Sequence, residues 1–138
     1  MMIAVSACLI GENCKYNGGS NYSEKVAAFL KGHEIIAVCP EVMGGLSTPR
    51  EPAEIVGGVV RTRGGVCVDD AFRKGAAAAL ALLQEKQADL VILQPRSPSC
   101  GVRQIYDGTF SGRTIDGAGV FASLLRENGF RVVDAEDL

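Results

Sequence analysis

The residues best equipped for chemistry are five cysteines, at positions 8, 14, 39, 67 and 100, together with a single histidine, His33. Thiolates bind soft metals and also act as nucleophiles. Structural zinc sites usually pair their ligands as C-x2-4-C, and no such pair occurs here, which makes zinc the weaker metal reading. A cysteine nucleophile ordinarily has a histidine beside it, but His33 lies in the polar turn "KGHE" ahead of a strand, at the opposite edge from the cysteines. Iron–sulfur clusters are held by cysteine thiolates, and a cubane with only three protein thiolates leaves one iron able to take a substrate. Three classes stay open on these residues. They are a cluster-dependent enzyme, an iron–sulfur or zinc sensor without catalysis, and a metal-free enzyme with Cys100 as nucleophile.

Where the thiols stand depends on the elements that carry them. Four short apolar runs, "IAV" from Ile3, "IIAV" from Ile35, "LVIL" from Leu90 and "RVV" from Arg131, do not alternate with polar residues. Such runs suit strands covered on both faces, as in a parallel sheet. Between them lie helical patterns. Asn21 followed by Glu24 marks a helix start, with Val26, Phe29 and Leu30 on one face and Gly32 as the stop. Asp69 is placed to cap a long alanine-rich helix that turns Phe72, Ala76, Ala79, Leu80 and Leu83 inward. A third helix is expected from about Gly117 to Asn128, ending at Gly129. In "EIVGGVVRTRGGVCV", two β-prone stretches flank Arg63-Gly64-Gly65 and read as an inserted hairpin. The expected fold is α/β: residues 1–138 as one compact domain, with a mainly parallel sheet covered by helices plus that hairpin.

In an open α/β sheet, ligands bind beyond the carboxyl ends of the strands. Cys8 follows the first strand, Cys39 ends the second and Cys100 follows the third, so these three thiols are expected at one edge. The prolines Pro40, Pro49, Pro52, Pro95 and Pro98 fall in the same loops and stiffen them. Cys67 fits a structural role in the hairpin, and Cys14 sits in the polar loop "GENCKYNGG". Arg50, Arg96, Arg103 and Arg113 also lie in loops at this edge, where they would attract a phosphate. The formal charge of −2, with acids and bases interspersed, argues against a nucleic-acid polymer as partner. No run reaches membrane-spanning length and no secretion signal is evident. An odd cysteine count in that setting argues against a disulfide framework and for a cytoplasmic protein.

Three ordered blocks, "SACLIGENCKYNGG", "VCPEVMGGLSTPREPAEI" and "SPSCGVRQIYDGTFSG", resemble the TudS-type thiouracil desulfidase family, over about residues 3–133. The resemblance implies a [4Fe-4S] cluster with three cysteine ligands and one open iron. It also implies non-redox removal of sulfur, as sulfide, from 4-thiouracil or a related thiolated base or nucleotide. The family pattern places the ligands at Cys8, Cys39 and Cys100, the catalytic carboxylate at Glu41 and its assisting hydroxyl at Ser97. Glu41 would be a general base, favoured by an apolar crevice. Ser99 and Tyr106 are expected to meet the substrate, Tyr106 by stacking on the flat pyrimidine.

Overall fold

The computed structural model describes residues 1–138. In chain order its first elements are β1 (Met2–Ser6), α1 (Glu24–Leu30), β2 (Glu34–Val38), α2 (Pro40–Met43), β3 (Ala53–Val56) and β4 (Val59–Thr62). They are followed by α3 (Asp69–Glu85), β5 (Leu90–Leu93), β6 (Gln104–Tyr106), β7 (Thr114–Asp116), α4 (Val120–Glu127) and β8 (Val132–Asp134). Single turns of 3-10 helix occupy Ala7–Ile10 and Ala135–Asp137.

The four apolar runs form one sheet of order β2-β1-β5-β8, with every neighbouring pair parallel. The absence of alternation is explained by what covers the two faces. Ala4, Val91 and Leu93 turn to one side, where Ala76, Ala79 and Leu83 of α3 and Phe121 and Leu125 of α4 bury them. Ile3, Val5, Leu90 and Ile92 turn to the other, against Val26 and Leu30 of α1 and Leu9. Both side-chain sets of β1 and β5 therefore lose water, and a polar residue on either face would lose its hydrogen bonds.

Several local expectations shift. The cap of α1 is Ser23, whose hydroxyl accepts from the Val26 amide at 3.2 Å; Asn21 is too far upstream and binds elsewhere. Phe29 points outward and stacks on His33 instead of joining Val26 and Leu30 in the core. Asp69 is the first residue of α3, and its carboxylate takes the Val60 amide at 3.0 Å and Arg73 Nε at 2.8 Å. The last long helix starts at Val120, not Gly117, and the amides of Gly117 and Gly119 bond instead to the carbonyls of Arg103 and Gly101.

The inserted hairpin turns at Gly57-Gly58, both at positive φ, and pairs β3 with β4. Arg63-Gly64-Gly65 makes a further reversal whose pairing is a single bridge, Arg61 to Cys67. Cys67 is exposed, so it does not fill a core. Two elements escaped the sequence reading: the one-turn helix α2, opened by Pro40, and the antiparallel pair β6–β7. No helix is long and apolar enough to cross a membrane.

Candidate active site

The sheet order supplies the position of the site. From β1 the chain crosses first to β2 on one side and later to β5 on the other, so the carboxyl ends of these strands border a topological switch point. A cleft of about 490 Å³ opens there, a volume suited to a small ligand. Cys8, Cys39 and Cys100 all line it, together with Glu41, Ser97, Ser99 and Tyr106. The cleft thus brings together the three strand-end cysteines, Glu41, both serines and Tyr106. It also brings in Cys14 from the loop after the first 3-10 turn, which the strand rule did not place.

Each side chain is held by its own local device. Ser6, at the end of β1, accepts the Gln94 amide at 3.0 Å and ties β1 to the exit of β5. The 3-10 turn then presents Cys8 and closes at Gly11, whose φ of 99° is left-handed. Asn21 turns back on this segment: its amide N–H donates to the Cys8 carbonyl at 3.0 Å, and its Nδ2 lies 3.5 Å from Cys8 Sγ. Cys39 stands at the N-cap of α2 with Pro40 and Glu41 following in the first turn. Proline suits this position because its fixed φ is helical and its missing N–H would have had no partner.

The "SPSC" turn is fastened to the start of α4. The first amides of a helix have no partner within it, and here Val120, Phe121 and Ala122 donate to the carbonyls of Pro98 and Ser99 at 2.8–3.1 Å. Gly119 permits this contact, since a Cβ there would stand 2.5 Å from the Ser99 carbonyl. Ahead of the turn, Arg96 has a left-handed φ of 66° and is fixed by a two-pronged bond to Glu136 at 2.8 and 3.2 Å. Ser97 Oγ accepts the amides of Cys100 at 2.8 Å and Ser99 at 3.1 Å.

Glu41 is not in an apolar setting. Its Oε1 accepts from Arg50 Nε at 3.2 Å and stands 3.2 Å from Arg50 Nη2 in the same salt bridge, and its Oε2 receives Ser99 Oγ at 3.0 Å. Ser99 is only 1% exposed, and its hydroxyl also lies 3.5 Å from Cys100 Sγ. Arg50 further bonds the carbonyls of Cys14 and Ser47 and the hydroxyl of Thr48. One guanidinium thereby locks Glu41 to two loops.

Three of the thiols are held above their ordinary value by burial. Burial pushes Cys100 up to about 12, and Cys8 is raised chiefly by burial despite its Asn21 contact. Cys14 is also lifted to about 12, by burial first and then by the neighbouring Cys39 thiol. No three His, Cys, Asp or Glu side chains close in tightly enough to clasp a single metal ion.

The arginines are largely occupied. Arg50 serves Glu41, Arg96 serves Glu136, and Arg103 meets Asp137 at 3.2 Å; Arg113 and Arg103 do not line the cleft. The cations that do line it without a carboxylate partner are Lys15 and Arg63, which the sequence reading passed over. Each lies 5.9 Å from an aromatic ring centre, Tyr16 and Phe110 respectively.

A family model for 2-thiouracil desulfurase matches residues 3–137. The chain belongs to the 2-thiouracil desulfurase family. Among proteins of known structure it is similar to a [4Fe-4S]-dependent thiouracil desulfidase, TudS, with a TM-score of 0.93 and 40% identity, covering 99% of this chain and 92% of that one. It is also 45% identical over 147 residues to the uncharacterized protein YbbK of Bacillus subtilis (strain 168), covering 99% of this chain and 97% of YbbK. This member of the 2-thiouracil desulfurase family therefore has the parallel sheet and helical cover of the TudS structure along nearly its whole length.

Proposed function

We propose that the protein converts thiolated uracil to the oxo form with release of sulfide, using a [4Fe-4S] cluster held by Cys8, Cys39 and Cys100. The observation that carries this reading is the meeting of three strand-end thiols and one fixed carboxylate in a single cleft of a 2-thiouracil desulfurase family member. The donor set fits such a group. Structural zinc sites usually draw on closely spaced cysteine pairs, and the chain has none, which favours a larger inorganic body over zinc. Two of the sulfurs already face hydrogen-bond donors, Asn21 Nδ2 and Ser99 Oγ, and such bonds tune cluster sulfurs.

When bound, the cluster would supply a Lewis-acidic iron without a protein thiolate, able to polarise a thiocarbonyl carbon. The rest falls to the chain. Glu41 takes a proton from the water that attacks this carbon, Ser97 orients that water, and Tyr106 lies against the pyrimidine ring. One water enters and one hydrogen sulfide leaves, so no electron donor is required. For a nucleotide substrate, Lys15 and Arg63 are the free cations that would meet its phosphate.

The test is a sulfide-release assay on 4-thiouracil with anaerobically reconstituted protein. Glu41→Gln is expected to keep its iron and lose turnover, and Ser97→Ala to keep its iron and turn over slowly. Full activity in Glu41→Gln would remove its role as base. Comparing kcat/KM for the free base and for the 5′-monophosphate assigns Lys15 and Arg63: equal values would leave them without that task.

A further inference from the structure

Glu54 of β3 is a carboxylate only 8% exposed, and burying such a group is costly unless hydrogen bonds replace its water. Its bonds come from the loop that joins β6 to β7. One oxygen, Oε1, accepts the Gly108 amide at 2.9 Å and the Phe110 amide at 3.1 Å. The loop is pressed onto β3 at the same point, since a Cβ on Gly108 would stand 2.7 Å from the Ile55 carbonyl oxygen. Phe110 is thereby held at a φ of 56°, in the left-handed region that a bulky side chain rarely adopts. Such a conformation persists only where its surroundings impose it, and here the buried carboxylate does.

The strained backbone places a ring. Phe110 belongs to neither apolar cluster flanking the sheet, so burial in the core does not offset the strain. It lines the cleft instead, beside Glu54, Arg63 and Tyr106. Arg63, from the reversal after β4, lies over the ring with its guanidinium carbon 5.9 Å from the centre, so a cation steadies one face. A ring held in this way offers its opposite face to a flat heterocycle. From this geometry, and resting on thiouracil as the substrate, we infer that Phe110 is a stacking platform for the pyrimidine ring and that Glu54 is the positioning residue that holds it in the cleft. Neither residue bonds to a cysteine or to Glu41, so losing either falls on substrate binding and not on the chemical step.

The experiment compares Phe110→Leu, Phe110→Tyr, Glu54→Gln, Glu54→Ala and the double variant Phe110→Leu with Glu54→Ala in the reconstituted holoenzyme. Iron per chain, kcat and KM for 4-thiouracil, and the inhibition constant of uracil are read for each. Phe110→Leu keeps the apolar bulk and removes the ring; KM and the inhibition constant should each rise at least about fivefold, the low end of what stacking on a base contributes. Its kcat should stay within about twofold of wild type with iron unchanged, as the loss of binding common to ground and transition states requires. Phe110→Tyr retains the ring and is expected to keep wild-type constants. Glutamine presents the same carbonyl oxygen to the two amides, so Glu54→Gln should also keep them, whereas Glu54→Ala should match Phe110→Leu. Because Glu54 acts through Phe110, the double variant should be no worse than Phe110→Leu alone. A KM within about twofold of wild type in Phe110→Leu would overturn the platform. Additive losses in the double variant, or a Glu54→Gln as impaired as Phe110→Leu, would overturn the positioning role; the glutamine variant decides this even if Glu54→Ala does not fold. An iron-loaded wild type that releases no sulfide from 4-thiouracil would overturn the proposed function itself, and the platform with it.

Discussion

Arg50 decides where the carboxylate of Glu41 can be, because it fills one oxygen of Glu41 and at the same time holds the carbonyls of Cys14 and Ser47. Lysine offers a single point of charge in place of a planar fork. Arg50→Lys is therefore expected to lower kcat at least about tenfold with iron retained, the loss of a positioned acid–base group being worth more than this in general; an unchanged kcat would show that Ser99 alone positions Glu41. The thiols make a second prediction. Burial holds Cys100 near 12 against an ordinary value of 9.0. Above pH 9 the unfolded chain loses this proton first, so it binds fewer protons than the folded one, and stability falls as pH rises until the folded thiol also titrates near 12. Urea melts of the metal-free, reduced protein at pH 8 and pH 10 should show this loss, and Cys100→Ala should reduce it. Cys8, Cys39 and Cys100 were legible in the sequence because each follows a β-branched run, and a strand end is a fixed place in a parallel sheet. Neither the Glu41–Arg50 pair nor the approach of Cys14 to Cys39 was legible, since both depend on how irregular loops fold back on one another.

Between elements, the site is set by backbone contacts that only glycine allows. The one-turn helix α2, which carries Glu41, lies directly on α3: a Cβ on Gly75 would sit 1.7 Å from the Pro40 carbonyl oxygen, and one on Gly44 would sit 2.0 Å from that of Ala71. Neither obstacle is a flexible side chain, so α2 itself would have to move. Gly75→Ala is expected to cost about 1–3 kcal/mol, as overpacking commonly does, and to reduce activity further by displacing Glu41. Denaturant melts with parallel sulfide assays check both effects. Gly119→Ala should act likewise on the "SPSC" turn, with iron loss as its readout. This layer was the least legible. Glycine at 44, 75 and 119 signals close approach only once the neighbouring element is known, and α2, at four residues, is too short for a periodic pattern. The hairpin was legible in kind but not in its turn, because "GG" occurs at both 57–58 and 64–65 and propensity alone does not choose between them.

For the molecule as a whole, the sheet order places β1 between β2 and β5, so three separate loops deliver Cys8, Cys39 and Cys100 to one cleft. The fold class followed from continuous apolar runs separated by amphipathic helices, a pattern that depends on both faces of the sheet being covered. Cys67 lies outside the cleft and Cys14 within it, and together they provide the controls for the ligand set. The central claim is that the three strand-end thiols hold the cluster on which turnover depends. The most direct measurement is iron per chain after anaerobic reconstitution of five single Cys→Ser variants, read beside sulfide release from 4-thiouracil. The expected result is about four irons in wild type, Cys14→Ser and Cys67→Ser, as a cubane requires, with iron and activity lost together in Cys8→Ser, Cys39→Ser and Cys100→Ser. Full iron and full turnover in any one of those last three would contradict it.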